Sequence, residues 1–143
     1  MTETKVANGF FAKFVAGGLI LRLLVVLGAV LFGLIVSLAA LWLASVQIDW
    51  VAYAIAFALM ATALTVAHFV EGITVDPQIA LARLMATTAI RVGLPLVGIV
   101  LLDRVVRPGF LASTLLFWLI GFSIGLLTSV SLTVGRLSLE TKT

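Results

Sequence analysis

The chain contains no cysteine and very little charge, and each shortage excludes a class of protein. Without cysteine there is no disulfide framework, no thiolate nucleophile, no c-type haem attachment and no cysteine-ligated iron–sulfur cluster. Only 10% of the 143 residues are Asp, Glu, Lys or Arg, where a soluble domain carries about 25%. With 63% apolar residues and a mean hydropathy of +1.31, such a chain cannot cover itself with polar groups. Its length accommodates about four membrane spans of roughly 20 residues each and little else. No nucleotide fold or soluble catalytic core fits in the remainder.

The scarce charges are also badly placed for chemistry. The six acids are Glu3, Asp49, Glu71, Asp76, Asp103 and Glu140, and none is expected in the middle of a span. An ion-coupled carrier keeps a carboxylate or a histidine inside the bilayer, so a self-sufficient proton or sodium transporter is disfavoured. The single histidine, His68, has no partner at HExxH spacing and no cysteine pair beside it. A magnesium site at Glu71 and Asp76 would lie beside Arg83 and Arg91, which oppose a divalent cation. With neither a Gly-rich phosphate loop nor a nucleophile elbow, the chain is expected to be no enzyme and to hold no metal or cofactor. The nine basic residues sit at the ends of apolar runs, form no basic face, and argue against nucleic acid despite a pI near 10.0.

The hydropathy pattern predicts an all-α polytopic membrane protein, four transmembrane helices arranged as two helical hairpins in a single domain. The spans run over about 23–46, 50–70, 84–102 and 110–134. Residues 1–22 read as an N-terminal segment with Phe10, Phe11 and Phe14 on one side and Lys13 opposite. It either lies in the membrane interface or extends the first helix past Gly17-Gly18. The first apolar run is too long for a secretory signal and is expected to stay uncleaved. Gln47-Ile48-Asp49-Trp50 makes a tight first turn bracketed by Trp42 and Trp50 at headgroup level. A second helix ends near His68, Glu71 and Gly72, Pro77 restarts the chain, and Asp103 to Gly109 forms the last turn.

Small residues recur at Ala29, Gly33, Ser37, Ala40 and Ala44 in the first span. In the second they stand at Ala54, Ala58, Thr62 and Thr65, and in the fourth at Ser113, Gly121, Gly125 and Ser129. Such rows let helices approach closely in lipid, and Gly121/Gly125 make a GxxxG pair. Counting basic residues puts Lys5, Lys13, Arg22, Arg83, Arg91, Arg136 and Lys142 on one side and Arg104 and Arg107 on the other. That places both termini in the cytoplasm. Ile20-Leu21-Arg22 and Ala89-Ile90-Arg91 give the two halves an internal echo, which shared hydropathy explains as well as duplication does.

The third run, Leu84 to Leu102, carries a charge where the rest avoid one. Arg91 lies roughly 10 Å along it, and a guanidinium there costs on the order of 3 kcal/mol unless it snorkels or finds a partner. Pro95 offers no N–H to the Arg91 carbonyl. His68, Glu71, Asp76, Arg83 and Arg91 gather at one end of spans two and three, with His68 and Glu71 a turn apart on one face. The candidate partner-binding residues are therefore Arg91, Glu71, His68, Gly121 and Gly125. Arg91 reaches either a partner's carboxylate or Glu71 as an internal staple between the hairpins, and the residues favour the staple. His68 reads as an interfacial residue.

Two short-turn hairpins, a basic start and the stretch Arg91-Val92-Gly93-Leu94-Pro95-Leu96 resemble the ATP synthase subunit I family of small four-span bacterial membrane proteins. The resemblance covers roughly residues 14–136. It implies a non-enzymatic accessory or assembly subunit of the bacterial plasma membrane, acting in assembly of the rotor ring, with Arg91 as a contact to the membrane sector. A magnesium-supply role proposed for that family finds no acidic residue inside a span here. The expected partners are the lipid bilayer and other integral membrane subunits. The alternatives are a small transporter or channel-forming oligomer, or a structural subunit of another membrane complex.

Overall fold

In a computed structural model the described residues are 18–73 and 77–140, all in helices or the turns between them. Helix α1 is Leu19–Leu43, α2 is Trp50–Ile73, and α3 is Ala80–Leu101 after a short 3-10 turn, Pro77–Ile79. Helices α4, Phe110–Phe117, and α5, Ser123–Glu140, are joined by a π turn over Trp118–Phe122 into one fourth span. Four segments are long and apolar enough to cross a membrane: Leu19–Leu43, Trp50–Gly72, Ala80–Val106 and Phe110–Leu139. The chain is an all-α, multi-pass membrane protein. Its outward residues, among them Leu24, Phe32, Ile35, Phe69, Leu96, Val97 and Leu119, are apolar and suited to lipid.

Three spans are longer than hydropathy alone suggests. Arg22 belongs to α1, Arg83 to α3 and Arg136 to α5, so these helices run on past residues that a hydropathy window treats as ends. Of the expected N-terminal segment, residues 19–22 are already helix, and residues 1–17 lie outside the described residues, as does Asp76. At the other end Leu102–Val106 continues α3 as a π turn closed by Arg107 N–H on the Leu102 carbonyl at 2.6 Å. The last turn is thus shorter than Asp103 to Gly109.

The turns have local causes. α1 closes with the Ala44, Ser45 and Val46 amides on the carbonyls of Ala40, Trp42 and Leu41, with Ser45 in the left-handed region at φ 54°. Asp49 caps α2, its Oδ1 accepting the Ala52 N–H at 3.1 Å. Arg107-Pro108-Gly109-Phe110 is a type II turn, with Phe110 N–H on the Arg107 carbonyl at 3.1 Å. Its third position needs positive φ, and Gly109 supplies 87°. Asp103 Oδ1 accepts the Leu111 N–H at 2.9 Å at the start of α4.

The helices pack as a central pair with two flanks. α2 touches α1, α3 and the fourth span; α1 packs along both the fourth span and α2, and α3 packs chiefly on α2. Consecutive spans three and four are joined by a tight turn yet share little side-to-side contact, because α2 lies between much of them. The core holds Val26, Val30, Tyr53, Met60, Leu64, Phe110, Phe117 and Trp118. Phe117 meets Tyr53 and Trp118 edge to face at 6.3 and 5.4 Å between centroids.

The small-residue rows divide. Gly33 and Ser37 face inward on α1, while Ala54, Ala58 and Thr62 face outward on α2. A methyl group on Gly33 would stand 2.5 Å from the Gly121 Cα, so these two helices meet backbone to backbone. One on Gly125 would meet Val30 Cγ2 at 2.7 Å and Met60 Cε at 3.3 Å. The Gly121/Gly125 face is therefore a packing face, as its spacing suggests, but this chain's own α1 and α2 fill it. It is not open to a partner.

A buried polar network as the candidate functional site

The inward stripe of α3 reads Arg83, Thr87, Arg91, Pro95, Ile99, each four residues from the next. In an apolar chain the face turned inward is thus largely polar. The helix runs unbroken through Pro95, which is buried and withholds one N–H from the ladder. Thr87 donates to the backbone, its Oγ1 lying 2.9 Å from the Arg83 carbonyl and 3.2 Å from that of Leu84. That leaves its oxygen to accept from Arg91 Nη1 at 3.4 Å.

Arg91 then crosses to two other helices. Its Nη2 donates to Glu71 Oε1 on α2 and, at 2.6 Å, to Thr133 Oγ1 on α5. Thr133 Oγ1 lies 2.8 Å from the same Glu71 oxygen and 3.1 Å from the Ser129 carbonyl, so its one hydrogen serves both directions. Ser129 Oγ is 3.0 Å from His68 Nε2, and His68 Nδ1 is 3.3 Å from Glu71 Oε2. The His68 ring thus meets Ser129 through Nε2, while its Nδ1 faces the Glu71 carboxylate without reaching hydrogen-bond geometry. The bonds run from Arg91 through Glu71 and Thr133 to Ser129 and His68, whose ring ends beside the Glu71 carboxylate.

None of these side chains reaches the surface. Arg91, Thr87 and Ser129 are fully buried, and His68 and Glu71 are 1% and 2% exposed. Two expectations are corrected here. His68 is a buried member of the network, not an interfacial residue, because α2 turns it to α5. Glu71 lies inside the second span, in its last turn, so an acid does occur within the bilayer-spanning helices. Of the candidate residues for a partner, Arg91, Glu71 and His68 are brought together within the chain, with Arg91 bonded to Glu71 as the internal staple between hairpins and His68 beside the same carboxylate. Arg22 and Arg83 are buried at the same end, Arg83 two turns before Arg91, and Arg136 is partly buried one turn beyond Thr133.

Thr87, Ser129 and Thr133 are the network members that residue-by-residue reading overlooked as polar partners. The signal was there: Thr87 stands one helical turn before Arg91, and Ser129 and Thr133 are one turn apart leading to Arg136. A second ion pair was also missed. Arg107 Nη2 lies 2.6 Å from Asp49 Oδ2 and ties the first turn to the last, with both side chains about one-third exposed.

Fold and network together define a multi-pass membrane protein whose titratable core is committed to joining helices. Among the described residues no three of His, Asp and Glu come together as a metal site. Comparison with protein-family models, with curated proteins and with solved structures finds no match for the chain.

Proposed function

We propose that the protein is a non-enzymatic accessory or assembly subunit that works by packing against other integral membrane subunits. The particular complex proposed is a rotary ATP synthase, through its membrane sector in the bacterial plasma membrane. The observation that supports an accessory role is the burial of the polar network between helices: Arg91, Glu71 and Thr133 bond one another, Ser129 bonds His68, and none of them is more than 3% exposed. The resemblance in Arg91-Val92-Gly93-Leu94-Pro95-Leu96 supports the choice of complex, with the contact moved from Arg91 to its outward neighbours. Arg91 and Pro95 face inward on that stretch, whereas Leu94, Leu96 and Val97 face outward on the helix that has the fewest neighbours within the chain.

Orientation follows the basic residues. Arg22, Arg83, Arg91 and Arg136 lie towards one end of the bundle and Arg104 and Arg107 at the other, which supports cytoplasmic termini. The test is purification of the tagged full-length chain from native membranes in a mild detergent, with the co-purifying subunits identified. Membrane-sector subunits of the synthase are expected with the wild type and with Leu24→Trp, and lost with Leu96→Trp. Their absence from the wild type refutes the synthase reading. Ion flux through proteoliposomes holding this protein alone refutes the accessory reading and supports a transporter.

A further inference from the structure

His68 is the only histidine of a chain without cysteine. It is therefore the one side chain here whose ordinary chemistry changes its charge between about pH 5 and pH 8. It is buried inside the second span, and its two ring nitrogens face different helices. Nε2 lies 3.0 Å from Ser129 Oγ on α5, and Nδ1 lies 3.3 Å from Glu71 Oε2, one turn along α2 itself. Nδ1 and Oε2 are both buried, and neither has a hydrogen-bond partner among the described residues. The other carboxylate oxygen, Oε1, takes Arg91 from α3 and Thr133 from α5. One carboxylate thus stands between a permanent cation on a neighbouring helix and a conditional one on its own.

What a proton on the ring does follows from the groups around it. α2 supplies Glu71. α3 supplies Arg91, with Arg83 two turns before it, and α1 buries Arg22 at the same end. α5 supplies the neutral Ser129 and Thr133, with Arg136 one turn beyond. The proton is held by Glu71 and opposed by the arginines, and away from water both effects are several-fold stronger than in it. Ser129 serves either state, since a hydroxyl donates to a neutral Nε2 and accepts from a protonated one. Arg91 does not, because the imidazolium draws on the carboxylate that holds it and repels its charge. The α5 contact survives the proton and the α3 contact weakens. Access needs little opening, for Glu71 is two residues from the end of α2 at Ile73, and helix ends open locally at low cost.

We propose that His68 is a proton-responsive switch: on taking up a proton it pairs with Glu71 within α2, loosens the hold of that carboxylate on Arg91, and releases α3 while α5 stays in place. The switch stands on the network alone and holds whichever complex the chain joins. On the accessory-subunit reading, acid withdraws the α3 face that meets the partner.

The full-length protein in lipid nanodiscs is followed from about pH 8 to about pH 5. NMR of isotope-labelled histidine reads the single ring directly. In a chain without cysteine, Phe69→Cys on α2 with Met85→Cys on α3, or with Val134→Cys on α5, takes spin labels at those exposed positions alone. Distances between the labels are then measured by pulsed electron resonance. The ring is expected to titrate, and a longer α2–α3 distance to grow in with the same midpoint while the α2–α5 distance holds. His68→Gln, neutral at every pH and able to bond Ser129, is expected to show no longer distance. A ring that stays neutral down to about pH 5 overturns the proposal, as does one that titrates with the α2–α3 distance fixed. Both distances lengthening together, or the α2–α3 distance lengthening equally in His68→Gln, also overturns it. Should His68→Gln fail to fold, the wild-type ring and the two distances decide. With no partner present, these results leave the accessory reading to the purification test above.

Discussion

Removing Arg91 is the most informative single perturbation, because it separates a charge network from ordinary packing. Arg91→Leu keeps an apolar side chain in place but leaves the Glu71 carboxylate, 2% exposed, without its cation. Breaking a buried ion pair from one side costs about 3–5 kcal/mol. The lost bonds to Thr133 and Thr87 add about 0.6 kcal/mol each, on the scale found between membrane helices. Arg91→Leu is therefore expected to destabilise the protein by about 4–6 kcal/mol. Thr133→Val, which removes a hydroxyl bonded to both ions but leaves the pair itself intact, is expected to cost less, about 1–3 kcal/mol. The decisive comparison is the double substitution Arg91→Leu/Glu71→Leu. With both charges gone, no ion is left unpaired, and the double variant is expected to be more stable than either single one. Reversible unfolding of the full chain in mixed lipid–detergent micelles at increasing dodecyl sulfate, followed by circular dichroism, gives the three free energies. Additive single effects, or an Arg91→Leu variant within about 1 kcal/mol of wild type, would refute a coupled buried pair.

Three further substitutions probe the packing and the turns. Gly33→Ala is expected to cost about 1–3 kcal/mol in the same assay, because its methyl group meets the Gly121 backbone, which cannot swing aside as a side chain can. Gly28→Ala, in open space on the same helix, is expected to gain up to about 1 kcal/mol. Asp49→Ala loses both the α2 cap and the Arg107 bond and is expected to cost about 1–2 kcal/mol, whereas Asp49→Asn keeps the cap and is expected to cost under about 1 kcal/mol. Ser45→Gly is expected to raise the thermal midpoint in detergent by relieving a left-handed conformation that costs a side-chain-bearing residue about 1–2 kcal/mol.

The architecture was legible because lipid makes unusual demands on sequence. Apolar runs of span length, Asp49 and the Pro108-Gly109 pair at the turns, and small residues at Gly33, Gly121 and Gly125 each report one local requirement. The helix boundaries at the network end were not legible. Hydropathy averages over all faces of a helix, so Arg22, Arg83 and Arg136 look like ends although two of them are buried inside continuous helices. For the site, the charge at Arg91 and its closeness to Glu71 and His68 could be read from spacing. Thr133 could not, because its role depends on the fourth span lying against α2, and no pattern in the sequence fixes which of two hairpins' helices become the central pair. The same gap hid the Asp49–Arg107 pair, whose members sit in turns 58 residues apart.

The two ends of the bundle are specified by different physics, and the difference bears on how α3 is presented. At the end that holds the Asp49 and Arg107 turns, those short turns decide which helices are neighbours, and the partly exposed Asp49–Arg107 pair adds at most about 1 kcal/mol. Turns alone leave each helix free to rotate about its axis. At the network end rotation is fixed, since Arg91 must reach α2 and α5 at once and no other setting of α3 satisfies both Glu71 and Thr133. A one-residue slip would turn α3 by about 100° and put the guanidinium into lipid. Holding Arg91 and Pro95 inward holds Leu94, Leu96 and Val97 outward on the same two turns. On the accessory-subunit reading the cation touches no partner. It sets the face that does.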